Sequence, residues 1–284
     1  MISLSFQLRG ESTAPAGTSA GARRRNLRTR FAAWLAGLLC LALAANAVAA
    51  DIHVMISGGF SAALSALAPE FERATGNRLV VVKGPSMGAT REAIPARLAR
   101  GEPADVVIMA GYALDDLAKQ GRIRSGSHVD LAKSTIAMAV RAGAPRPDIR
   151  TPDALKAALL AAKSVAYSDS ASGVYMSGEV FPRLDIADAM KAKGRQIAGE
   201  PVGQVVARGE AEIGFQQLSE LLPVAGIDVV GPLPPELQKI TIFAAGIAAN
   251  AKSPEAARAL IEYLASPAAH GAIRESGLEA AAQH

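Results

Sequence analysis

The sequence predicts an α/β protein of two lobes, each a mainly parallel sheet flanked by helices. Two patterns carry that expectation. Val- and Ile-rich runs of strand length alternate with alanine-rich stretches of helical period along the chain after residue 50, which is how a layered α/β architecture reads in sequence. Two proline clusters, Pro145, Pro147 and Pro152 and then Pro232, Pro234 and Pro235, bracket the middle of the chain. A chain that passes out to a second lobe and returns by two crossing segments leaves this mark. Prolines also simply end elements, so the clusters alone leave the lobes unbounded.

The elements follow in order. Ile52–Ile56 is a first buried strand, Gly58-Gly59 a turn, and Ser61–Thr75 a helix with Leu64, Leu67, Ala68 and Phe71 on one face, stopped by Gly76-Asn77. Leu79–Val82 is a second strand, and Thr90–Arg100 a helix ending at Gly101. Asp105–Met109 is a third strand, opening through Gly111-Tyr112 onto a helix that runs to Gln120. Such β-α-β units predict parallel pairing with right-handed crossovers. The middle block offers the strand Ile136–Arg141, the helix Asp153–Ala162, the strand Val165–Tyr167, a loop with Gly173, a helix near Glu179–Leu184, and strands at Ile213–Gln216 and Val229-Val230. After the second proline cluster come the strand Ile240–Ala244 and the helix Pro254–Leu264, with Ala257, Leu260, Ile261 and Leu264 on its apolar face.

Residues 1–50 read as a cleaved secretory signal. Arg23, Arg24, Arg25, Arg28 and Arg30 precede an uncharged apolar run from Phe31 to Ala45, and Ala47-Val48-Ala49-Ala50 supplies the small residues a signal peptidase needs. The run is short for a bilayer span, which takes roughly 20 residues. Cleavage is expected to leave Ala50 or Asp51 as the first mature residue, in the periplasm. Of the 30 Lys and Arg and the 26 Asp and Glu, six and one fall within residues 1–50, so the remainder carries 24 against 25. The basic character thus belongs to the leader and argues against nucleic acid as a partner. The single cysteine, Cys40, leaves with it, and disulfide and thiolate chemistry go too.

Three Gly- and Ser-rich loops follow strands and open helices: Ser57-Gly58-Gly59-Phe60-Ser61, Gly84-Pro85-Ser86-Met87-Gly88 and Ser168-Asp169-Ser170-Ala171-Ser172-Gly173. Helix N-termini carry unpaired N–H groups and partial positive charge, Gly lets backbone approach a ligand, and Ser adds a neutral donor. Each loop alone reads equally as capping. Together, at the C-terminal ends of strands, they point to a small anion. Arg91 offers a bidentate partner for a carboxylate, and Lys83 ends a strand beside the second loop. Tyr112, Tyr167 and Tyr175 read as proton carriers or shape-setting walls, and each singly reads more readily as core packing. The G-x-S-x-G pattern in Gly84–Gly88 lacks the preceding strands and the histidine partner that a serine hydrolase needs. Histidines at 53, 128, 270 and 284 show no metal-ligand spacing.

The order of these elements, with GEPADVVIMAG at 101–111, LAKQGRI at 117–123, SGVY at 172–175, EIGFQQLSE at 212–220 and SPEAARALIEYLASPAAHGAIRESGLE at 253–279, resembles the periplasmic molybdate-binding protein family of ABC importers. The resemblance implies a type II Venus-flytrap periplasmic binding protein, one lobe from 51–134 with 242–284 and the other from 135–241, a monomer with no cofactor, holding a small anion between its lobes and delivering it to an ABC permease. Several anion ligands of that family are replaced. Gly59 stands where molybdate binders have serine, Ser86 matches their second serine only loosely, Gln217 replaces a tyrosine, and Arg91 adds a cation. The motifs GPSMG at 84–88, EAIPARLARGEPADV at 92–106 and YSDSASGVY at 167–175 are similar to the branch that includes aconitate isomerase. The ligand set expected is Ser57, Gly58, Gly59, Phe60, Ser86, Met87, Gly88, Arg91, Ser170, Ser172, Gly173 and Gln217. The function expected is a receptor for an oxyanion or di/tricarboxylate, with an isomerase that interconverts cis- and trans-aconitate by a proton shift as the alternative. For the second, Asp169, Tyr175, Glu220 and Lys83 are the candidate bases.

Overall fold

The structure, a computed structural model, describes residues 49–282; the leader read at 1–50 lies almost wholly outside the described residues. The chain runs β1 (Asp51–Ile56), α1 (Gly58–Thr75), β2 (Arg78–Lys83), α2 (Ile94–Ala99), β3 (Val106–Ala110), α3 (Gly111–Lys119) and β4 (Val129–Ser134). A single residue, Thr135, separates β4 from β5 (Ile136–Arg141), which opens the second lobe. There follow α4 (Pro152–Ala161), β6 (Val165–Ser168), α5 (Ala171–Tyr175), α6 (Ala187–Lys193), β7 (Gly194–Ile197), α7 (Val202–Ala207), β8 (Ile213–Gln217), α8 (Leu218–Leu221) and β9 (Ile227–Pro232). The chain then returns through β10 (Thr241–Ile247), α9 (Pro254–Ala265), α10 (His270–Glu275) and β11 (Glu279–Ala280).

Two sheets result, in the orders β11-β4-β10-β3-β1-β2 and β7-β6-β8-β5-β9. Both are mixed rather than mainly parallel. Parallel pairing holds where β-α-β crossovers build the sheet, at β2-β1-β3 and β7-β6-β8. The strands that carry the chain between lobes pair antiparallel: β10 with β3 and β4, and β5 with β8 and β9. A chain that crosses and returns must reverse its direction, and these pairs absorb the reversal.

Each sheet is buried on both faces, which explains the continuous apolar strands. In the first lobe Ile52, Val54 and Ile56 face Phe60, Leu64 and Phe71 of α1 and Leu260 and Leu264 of α9. On the other face Met55, Val107 and Met109 meet Leu98 of α2 and Leu114 of α3. In the second lobe Met138, Val165 and Phe215 pack on Leu155 and Leu159 of α4, and Ala166 packs on Val202 and Val206 of α7.

Several boundaries differ from the sequence expectation for local reasons. The helix expected at Thr90–Arg100 begins only at Ile94, with Pro95 in its first turn, because a proline there fits a helix start and not its interior. Helix expected from Glu179 already begins at Ala171 and continues through a π-turn at Met176–Val180. The strands β4, with Asp130 and Lys133, and β7, with Arg195 and Gln196, lack the apolar run that marks a strand. Among the described residues no helix is long and apolar enough to cross a membrane.

Asp105 ties the first lobe together. Its carboxylate, 2% exposed, accepts the backbone N–H of His53 in β1 at 2.8 Å and those of Lys252 and Ser253 before α9 at 2.7 and 3.0 Å. Burial alone would raise its pKa, but these backbone donors outweigh burial and hold it below the ordinary 3.8. Replacement by alanine strands three donors at a buried junction. Asp105→Ala is expected to lose on the order of 3 kcal/mol, read from urea unfolding midpoints at neutral pH. Because the folded pKa is depressed, the deficit should persist at every pH above 3.8 and shrink only as acid protonates the native carboxylate.

Candidate functional site

A cleft of about 280 Å³ opens between the two sheets at the C-terminal ends of β1, β2, β6 and β8. Its first-lobe wall is the turn Ser57–Gly59, the segment Lys83–Ser86 with Glu92, and Phe243 of β10. Its second-lobe wall is Ser168–Ser172, the turn Gly199–Pro201 before α7, and Gln216, Gln217 and Glu220.

The 18-residue helix α1 points its N-terminus into this space. Ser57 is its N-cap by backbone angle, yet the hydroxyl makes no cap bond and has no partner, although the residue is only 3% exposed. Of the first-turn N–H groups, that of Phe60 reaches the Ser57 carbonyl at 3.4 Å, while those of Gly58 and Gly59 precede any intrahelical carbonyl they could use. Donors left this way in a buried turn suit a ligand oxygen that carries negative charge. The two glycines are required by what touches them. A β-carbon on Gly58 would overlap the carboxyl of Glu220, and one on Gly59 would overlap the ring of Phe243. The ring therefore occupies the space that a serine at 59 would need.

Across the cleft, Ser168 organises the start of α5. Its Oγ accepts the N–H of Gly173 at 3.2 Å and of Ser170 at 3.4 Å, and shares a 3.1 Å hydrogen bond with the hydroxyl of Ser172. Between them, Asp169 Oδ2 is buried without a partner, and burial raises its carboxyl pKa above the ordinary 3.8. Gly88 of the first lobe lies directly against that oxygen. Two further contacts draw the lobes together: Ser86 N–H donates to Ser170 Oγ at 3.2 Å, and Ser219 Oγ donates to the carbonyl of Gly59 at 2.7 Å.

The floor is made by β8 and the short α8. Gln217 donates through Nε2 to Thr241 Oγ1 at 3.0 Å and leaves Oε1 buried and unpartnered. Gln216 Oε1 accepts the N–H of Gly203 at 3.4 Å. Glu220 takes hydrogen bonds from the Gln216 side chain and the Gln217 backbone, but burial dominates and pushes its carboxyl from 4.5 up to about 7. A carboxyl tuned to that range exchanges a proton readily near neutral pH. Among the described residues no cluster of three or more His, Cys, Asp or Glu could hold a metal ion.

Of the residues singled out from sequence, the cleft gathers Ser57, Gly58, Gly59, Lys83, Ser86, Asp169, Ser170, Ser172, Gln217 and Glu220. Six lie elsewhere. Phe60 is fully buried in the first-lobe core. Met87 packs on the same lobe's other core and accepts a hydrogen bond from Tyr112 OH. Gly88, at φ 106°, backs Asp169 rather than the cavity. Arg91 stands exposed in the loop before α2, because the helix that would have aimed it starts three residues later. Gly173 is glycine because a β-carbon would strike the Ser168 carbonyl inside the turn. Tyr175 donates its hydroxyl to the Leu237 carbonyl at 3.1 Å. Ser168, read from sequence as part of the third loop, also lines the cleft. Sequence reasoning missed Gln216, Glu92, Glu200 and Phe243. For Gln216 the signal was present, since it stands near the C-terminal end of a strand; Glu92, Glu200 and Phe243 arrive only by folding.

The raised pKa of Glu220 makes a stability prediction that needs no ligand. Between pH 4.5 and about 7 the folded protein holds a proton that the unfolded chain has released. Stability should therefore fall as pH rises through that window, and Glu220→Gln should remove that part of the slope. In urea titrations at pH 5 and pH 8 the variant is expected to lose less stability than the parent, by at most about 3 kcal/mol.

Residues 52–279 match the profile of the family described as bacterial extracellular solute-binding protein. The chain is 54% identical over 228 residues to an aconitate isomerase of a Pseudomonas species, covering 80% of this chain and 87% of that protein. It is 27% identical over 247 residues to the molybdate-binding protein ModA of Azotobacter vinelandii, covering 83% and 92%. The solved periplasmic molybdate-binding protein of Azotobacter vinelandii superposes with a TM-score of 0.65 at 22% identity, over 82% of this chain and all of that one. The resemblance carried by the sequence motifs and the two-lobed fold thus stand on the same footing. With the matched region enclosing the whole cleft, the chain belongs to the family of bacterial extracellular solute-binding proteins.

Proposed function

We propose that the cleft captures a small polycarboxylate, and that the molecule it holds is aconitate, interconverted between its cis and trans forms by a proton shift. The observation that carries this reading is the pairing, in one cleft, of an anion-seeking helix terminus with a carboxyl group pushed by burial to about 7. A cavity of about 280 Å³ suits a molecule of this size and lies near the lower end for small-molecule pockets. Lys83 and the N–H groups of α1 would hold two of the carboxylates. Closure of the lobes over the ligand would exclude water, which strengthens those interactions and favours the delocalised anion formed when a proton leaves carbon. The 54% identity to a protein named aconitate isomerase supports the same reading.

A second reading has its own support. A receptor needs donors and lobe closure but no base, and the free Ser57 hydroxyl, the helix terminus and the cross-lobe bonds supply both. The likeness to a molybdate-binding protein favours it, with an ABC permease as the partner that receives the solute. On either reading the protein works as a monomer in the periplasm, exported by the leader at 1–50.

Proton NMR of the purified protein with trans-aconitate in deuterated buffer separates the two. Catalytic appearance of cis-aconitate, with deuterium entering the methylene position, is expected on the isomerase reading. Binding of trans-aconitate without conversion would leave capture as the function, and absence of binding would turn attention to molybdate and sulfate as ligands.

A further inference from the structure

We infer that Glu220 is the group that lifts the proton from bound aconitate and returns it two carbons away, with Gln216 as its positioning residue. This inference rests on the isomerase reading. The four side chains that sequence offers as proton carriers are separated by their surroundings. Tyr175 commits its hydroxyl to the Leu237 carbonyl, accepts Arg183 Nη1 at 3.4 Å, and stands outside the cleft lining. Asp169 has its buried Oδ2 set against Gly88 rather than against the glycines that begin α1. Lys83 is an exposed cation at the cleft edge, placed to pair with a carboxylate.

Glu220 differs in position. Its carboxyl lies against Gly58, the first residue of α1, where the free N–H groups converge. A ligand carboxylate seated on those groups brings its neighbouring carbon to the carboxyl of Glu220. Of the acidic side chains in the cleft lining, Glu220 is the one whose atoms stand nearest to Gly58, the first residue of that helix. Gln216, its Oε1 held by the N–H of Gly203, directs its amide toward Glu220 and fixes the carboxyl's orientation.

The step balances without any co-reactant. The Glu220 carboxylate takes one proton from the methylene carbon. The C–H electron pair becomes a new carbon–carbon double bond, while the old double-bond pair shifts through the adjacent carbon onto its carboxylate oxygen. The protonated Glu220 then returns the proton to the former vinylic carbon, which becomes the methylene. Rotation about the single bond between the methylene and the central carbon, before the first transfer, decides which geometry the new double bond takes. One carboxyl suffices if both carbons lie on its side of the ligand.

The test compares the parent with Glu220→Gln, Glu220→Asp, Gln216→Ala and Asp169→Asn, reading isomerisation and methylene deuterium exchange by NMR and trans-aconitate binding by calorimetry. Glu220→Gln should fold, bind within about tenfold of the parent, and lose roughly 1,000-fold or more in kcat. Glu220→Asp should recover part of that loss, and Gln216→Ala should lower kcat with KM little moved. Asp169→Asn should keep turnover well above that of Glu220→Gln. For the parent, kcat/KM should climb with pH to a plateau about a midpoint near 7, with Lys83, Glu92, Asp169 and Glu200 the charged groups sharing the cleft. Turnover of Glu220→Gln within tenfold of the parent overturns the assignment, as does loss of ligand binding together with turnover, which would make Glu220 an anchor. A parent protein that binds aconitate but neither isomerises nor exchanges overturns the isomerase reading itself, and the two failures are thereby distinct.

Discussion

The site depends on how closely α1 can approach its neighbours. Gly58 lies against Glu220 and Gly59 against Phe243, with no room for a β-carbon at either position. A methyl group at 58 would push the second lobe's carboxyl from the helix terminus, and one at 59 would displace an aromatic ring that is 2% exposed. The Ser219 hydrogen bond to the Gly59 carbonyl fastens the same turn to the second lobe. Helix terminus, carboxyl and lobe closure are therefore one packing arrangement rather than three features.

That arrangement keeps polar groups where a stable core would not have them. Ser57 Oγ, Asp169 Oδ2 and Gln217 Oε1 are buried in or beside the cleft without partners, and each such group costs on the order of 1–3 kcal/mol. Burial that raises the carboxyls of Asp169 and Glu220 adds to this at neutral pH. Stability is supplied elsewhere, by two sheets buried on both faces and by junctions such as Asp105, whose carboxylate is fully satisfied. Unsatisfied groups at a cleft beside satisfied ones in the frame are the signature of a site organised for something it must hold.

Capture and proton transfer make overlapping demands on this geometry. Both want lobes that close, donors that meet an anion, and exclusion of water. The difference is one carboxyl, placed beside the anion's seat and desolvated enough to change protonation near neutral pH. A binding cleft becomes capable of acid–base chemistry by that addition alone, because the helix terminus already stabilises the negative charge that proton removal creates. The chain's membership of a solute-binding family and its 54% identity to an aconitate isomerase are compatible for this reason.

Sequence by itself determined the local order of the protein. The apolar runs at β1, β3, β5 and β8, the helical period of α1 and α9, and the Gly- and Ser-rich turns after strands follow from propensity and burial, which act over a few residues. The first and third loops were legible for the same reason, since a helix must leave donors at its start. Tertiary structure decided what those loops face. Polar strands β4 and β7 form because neighbours pair with them, and the sheets are mixed because the chain must cross and return. Arg91 is turned away by the late start of α2, while Phe243 and Glu220, distant in sequence, meet adjacent glycines. Long-range contacts choose among locally equivalent Ser, Gly and Glu residues, and burial then sets which carboxyl carries a shifted pKa. Neither can be read from a window of neighbouring residues.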